Sequence, residues 1–208
     1  CTHEHGEKGE AKPPVTVNAN FSGEHLIYDP SEPTVNSVFA NMDVIINGTE
    51  YVTDENGDIT TNASGPVTAT VRLRGNYARV VPYNNQPTPE ATVELNEGEN
   101  TISLDGLFTE EQVSGFLNVT VIHDYMKGYI PTFTGMDFEL PVNIGISPHD
   151  CNAFYNGSSI NFYTGSFDCV SLVLVSDVVF HEYGHGINDN FYQDQGASFN
   201  NGGIGEGY

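Results

Sequence analysis

The chain has 208 residues, with 28 Asp plus Glu against 6 Lys plus Arg and a formal net charge of −22. That length supports a packed core, and 38% apolar with 11% aromatic content argues for a folded chain rather than an acidic disordered tail. A surface this negative repels phosphate backbones, which excludes nucleic-acid binding, and no apolar run is long enough for a transmembrane segment.

Residues 1–33 read as a linker or tail: polar through Lys12, broken by Pro13-Pro14, and without clear periodicity. Within it, Cys1 also fits a lipid-modified N-terminal cysteine, with an arbitrary start of a fragment as the favoured reading. The pair His3 and His5 reads as a feature of a tail with no specific role. From residue 34 short β-runs follow, at 44–46, 50–52, 67–73, 78–81, 91–95 and 101–104. Turn residues separate them, among them Asn47-Gly48, Asn56-Gly57 and Gly75-Asn76, and Asn-Gly pairs tolerate the positive φ of tight hairpins. This spacing predicts a small β-sandwich-like module over 34–105. Asp54, Asn56 and Asp58 have calcium-loop spacing, but the twelfth-position Glu is missing, so a plain turn is expected.

At Thr109 the period becomes helical. Thr109 and Gln112 have the spacing of a capping box, and Val113, Phe116, Leu117, Val121, Tyr125 and Met126 recur at three and four residues until Pro131. His123 and Asp124 sit inside this helix, where neighbours point about 100° apart and do not easily serve one atom, so their role is expected to be structural. Extended segments return at 140–146, 152–155 and 159–163, with Asn156-Gly157 as a hairpin turn. Cys151 and Cys169 bracket that hairpin. A disulfide between them in an oxidising, extracellular compartment is expected, with two unpaired buried thiols as the alternative.

The stretch that carries chemistry is His181-Glu182-Tyr183-Gly184-His185. On a helix His181 and His185 lie one turn apart on one face, and two imidazoles so placed reach a single zinc ion. Glu182, one residue on, is placed to act as a general base toward water at that metal. Gly184 and Gly186 disfavour an exposed helix by about 1 kcal/mol each, so this helix is expected to be buried, with a close neighbour. Zinc then needs a third protein ligand, and Glu206 in Gly205-Glu206-Gly207-Tyr208 follows downstream.

Together these runs resemble the gluzincin metallopeptidases of the thermolysin and fungalysin families. Asn152-Ala153-Phe154-Tyr155 is similar to the strand on which those enzymes lay the substrate backbone. Residues 116–136 resemble the long helix and following segment that precede that strand, and the resemblance spans 106–208. It implies that His181, His185 and Glu206 hold catalytic Zn2+, that Glu182 moves the proton, and that Asn152 and Ala153 bind a peptide or protein substrate as an added strand. Asp177 matches a position that helps hold Ca2+. The oxyanion-stabilising His and the second, helical lobe of the same polypeptide are expected beyond Tyr208, and residues 1–208 without that lobe are expected to be inactive. No Tyr stands at the family's oxyanion spacing before Glu206; Tyr192 comes too early.

The expected fold class is therefore α+β: a tail over 1–33, a β-sandwich-like module over 34–105, and the N-terminal zincin lobe of a thermolysin/fungalysin-like peptidase over 106–208. The expected function is that of a secreted zinc endopeptidase. The competing reading is a non-enzymatic extracellular β-sandwich for adhesion or carbohydrate binding, in which Tyr51, Tyr77 and Tyr83 stack on sugars and the HExxH run is accidental or inactive.

Overall fold

The computed structural model describes residues 15–197. Nine strands come first: β1 (Thr16–His25), β2 (Val35–Val38), β3 (Met42–Ile46), β4 (Thr49–Val52), β5 (Asp58–Ser64), β6 (Val67–Gly75), β7 (Ala78–Pro82), β8 (Glu90–Leu95) and β9 (Gly98–Ser103). Then come helix α1 (Glu110–Tyr129), strands β10 (Leu140–Asp150), β11 (Ala153–Tyr155) and β12 (Ile160–Thr164), a 3-10 turn at Leu172–Leu174, and helix α2 (Ser176–Asp194). The mixed α+β class is as expected. No helix among the described residues is long and apolar enough to cross a membrane.

The strands form two sheets. In the smaller, β1 pairs with β2 and β5 antiparallel and with β9 in parallel. The larger runs β11-β12-β10-β7-β6-β3-β4, with β8 also on β6. Local chemistry explains the tight turns. Asn47 and Gly48 both take positive φ, 51° and 77°, in the two-residue turn between Ile46 and Thr49. Asp54 Oδ1 accepts the backbone N–H groups of Asn56 and Asp58, both at 2.9 Å, which closes that segment as a turn.

Two features correct the expected domain plan. Residues 16–25, expected in a linker, form β1, at the centre of the smaller sheet: Val17, Ala19 and Phe21 alternate inward and are buried. The boundary expected at residues 105 and 106 does not divide the structure either. β7 pairs with β10 in one continuous sheet, and Phe39 stacks on Phe116 of α1 with ring centroids 6.4 Å apart. A single hydrophobic core runs from Val17 to Tyr183. The capping box on α1 forms as expected, with Thr109 accepting from Gln112 N–H and the Gln112 side chain returning the bond. Its first half is buried on nearly every side, because strands pack on one side and α2 on the other.

All four cationic side chains among the described residues lie in ion pairs. Arg72 pairs with Glu50 and Glu90, Arg74 with Asp43 and Glu139, Arg79 with Glu139, and Lys127 with Asp137.

His25, at the end of β1, is 3% exposed, and its Nε2 has no hydrogen-bond partner among the described residues. Burial disfavours its charged form and lowers its pKa to about 4; the nearby Asn118 amide offsets only part of this. The unfolded chain takes up the proton near pH 6.5, but the folded chain does so only near pH 4. Stability is therefore intact above pH 6.5 and falls as pH drops through this window, by at most about 3 kcal/mol from this residue. Urea unfolding from pH 7 to 4 should be less pH-dependent in His25→Gln than in the parent; equal slopes would refute the assignment.

Candidate active site

α2 enters from the core. Val173 in the preceding 3-10 turn and Val179 in the second turn of α2 are fully buried, and Ser176 N–H donates to Tyr28 O at 2.9 Å, which pins the start of the helix. Asp177 stands exposed in the first turn, where its charge complements the unpaired helix N–H groups.

His181 and His185 share a face, as their spacing requires. Their Nε2 atoms lie 3.0 Å apart and their rings meet edge to face, with centroids at 4.5 Å. Two nitrogens at that separation suit one small cation, since nitrogen ligands on a zinc tetrahedron stand about 3.3 Å apart. Glu182 is 5% exposed. The third expected ligand, Glu206, lies outside the described residues, as do Cys1, His3 and His5. Among the described residues no group of three His, Cys, Asp or Glu is placed to hold a metal.

The two helix glycines have different surroundings. A Cβ on Gly186 would stand 2.8 Å from Met136 Cε and 3.4 Å from the Tyr155 ring, so this glycine admits the close neighbour expected of a buried helix. Around Gly184 no atom of the described residues would meet an added Cβ within 4 Å, and nothing in those residues explains it.

β11 lies opposite α2 at the edge of the larger sheet. Asn152 O accepts from Tyr163 N–H at 3.0 Å, Phe154 is registered with Asn161, and Asn156 N–H donates to Ser159 O at 3.2 Å. Antiparallel alternation therefore turns the backbone N–H and C=O of Ala153 and Tyr155 outward, to an edge with no partner strand among the described residues. Between this edge and α2 is an open pocket of about 380 Å³, lined by Ala153, Phe154 and Tyr155 on one side and Glu182, His185 and Asp189 on the other. Burial, then the Asp189 charge, pushes the Tyr155 phenol above its ordinary pKa.

Cys151, directly before Asn152, is disulfide-bonded to Cys169 with a Cα–Cα distance of 5.7 Å, as expected. The bond ties the approach to β11 to the loop that leads into α2.

His123 and Asp124 do touch, contrary to the directions their spacing predicts. His123 Nδ1 lies 3.1 Å from Asp124 Oδ1, and Nε2 lies 3.0 Å from Asp137 Oδ1. The ring is 1% exposed and stacks on Tyr77 with centroids 3.4 Å apart. Burial would raise the Asp137 carboxyl, but Lys127 and His123 outweigh it and hold its pKa below the ordinary value. This cluster lies behind α2; burial, and after it the charges of Asp137 and Asp124, push the phenol of the fully buried Tyr183 upward. The pair is structural, as expected, but long-range partners make it so. Asp137 fastens the segment after α1 back onto α1, through His123 and Lys127, and Met136 fastens it to α2, through Asn190 and Gly186; the run resembles the family's segment, but an Asp fourteen positions after a buried His is too weak a signal to show these contacts.

The family model for the thermolysin metallopeptidase catalytic domain matches residues 47–189, which is more than half of the chain and begins well upstream of residue 106. The chain matches no curated protein.

Proposed function

The chain belongs to the thermolysin metallopeptidase family, and from that membership we propose that it serves a secreted, zinc-dependent endopeptidase. The observation that carries this reading is the pocket in which Glu182 and His185 face the open edge of β11, with His181 Nε2 3.0 Å from His185 Nε2. His181 and His185 would hold the metal together with Glu206. Bound zinc supplies Lewis acidity at the scissile carbonyl and makes water acidic enough to react near neutral pH.

The residues of the chain do the rest. The outward N–H and C=O groups of Ala153, with Asn152 beside them, take the peptide backbone as an added strand and hold it extended across the pocket. The Glu182 carboxylate accepts the proton of the attacking water and returns it to the leaving amide nitrogen, so no net proton is consumed. The Cys151–Cys169 bond and the acid excess support an extracellular setting.

Metal analysis tests the ligand assignment. After zinc loading and dialysis the full chain should retain about one zinc, and His181→Ala should lose it, as one missing imidazole removes a ligand that no neighbour replaces. Full retention of zinc in His181→Ala would refute the assignment.

A further inference from the structure

We infer that Asn161 is a positioning residue that sets where the open edge of β11 lies. This rests on the peptidase reading only in taking that edge as the place where substrate binds. β11 has three residues, so few backbone bonds fix it. Asn161, on β12, is 4% exposed and uses its whole amide. Its Nδ2 donates to Phe154 O at 3.1 Å and to Ser159 O at 3.0 Å; its Oδ1 accepts from Asn143 Nδ2 at 2.8 Å and from Ser159 Oγ at 3.2 Å. Two donors and two lone pairs are thus all engaged, which leaves the side chain a single orientation. Asn143 also donates to Ser159 Oγ at 3.1 Å, so the network reaches from β11 through β12 to β10 in the centre of the sheet.

The bond to Phe154 O matters because that carbonyl belongs to the peptide unit whose N–H, that of Tyr155, faces outward. Holding it inward orients the groups of Ala153 and Tyr155 toward the pocket. Asn161 touches neither metal nor reacting atoms, so its effect should appear in binding rather than in the chemical step.

The test is Asn161→Val in the full chain, a substitution that suits a strand but removes the amide. Hydrogen exchange at the Phe154 and Asn156 amides should quicken about tenfold with α1 unaffected, and KM for a peptide should rise about tenfold with kcat within about twofold. Zinc content should not change. Exchange at parental rates overturns the proposal, and so does a loss confined to kcat. If Asn161→Val does not fold, Ser159→Ala, which removes only part of the support, should move exchange and KM the same way by about threefold; no change there overturns it equally. If the full-length polypeptide, second lobe included, hydrolyses no peptide, the peptidase reading fails, and the exchange rates alone decide whether Asn161 holds β11.

Discussion

Glu182→Gln should lower peptide hydrolysis by about three orders of magnitude while leaving the zinc content of the full chain at the parental level. The side chain is 5% exposed, and Gln fills the same volume, so neither a cavity nor a displaced helix accompanies the change. What disappears is the basic oxygen: a neutral amide still accepts a hydrogen bond from water but does not take its proton. Because Glu182 is assigned the proton and not the metal, metal retention and turnover should separate. Hydrolysis at parental rates in the variant would remove Glu182 from the mechanism, and loss of zinc along with activity would make it a support for the ligands instead.

The second large effect concerns the covalent link. Cys151→Ser combined with Cys169→Ser should reduce unfolding stability by about 3 kcal/mol, the order expected for a loop of this length. The residues are 18 apart in sequence and enclose β11 and β12, the two strands that carry the open edge. Opening the link frees the unfolded chain and also loosens Asn152 at its root, so KM should rise together with the loss of stability. Urea unfolding of the oxidised parent and the double variant, followed by peptide kinetics, checks both. Equal midpoints would mean that non-covalent contacts alone fix this edge.

Much of this arrangement can be read from local chemistry. The cap at Thr109, the Asn47-Gly48 turn and the one-turn spacing of His181 and His185 depend on residues within four positions of one another, and each forms as expected. β1 was legible in principle, since Val17, Ala19 and Phe21 alternate with Asn18 and Asn20, but the polar run before it and the small size of Ala19 hid the pattern. β5 escaped for a related reason: its inward positions include Thr61, whose hydroxyl is buried yet satisfied by donating to Val17 O at 2.6 Å. The joining of β7 to β10 pairs residues some sixty positions apart, and no local signal encodes it. The same holds for Met136 against Gly186, where the glycine announces a neighbour without naming it.

The pairing of Arg72, Arg74, Arg79 and Lys127 with carboxylates has a colloidal consequence. Two copies that approach each other meet acid on acid, with no unengaged positive group in the described surface to bridge them. Mutual repulsion therefore keeps dilute solutions clear at neutral pH, and added salt weakens that protection by screening it. Protonation of the acids has the same effect more strongly, so the protein should be least soluble near its isoelectric point of about 4.2.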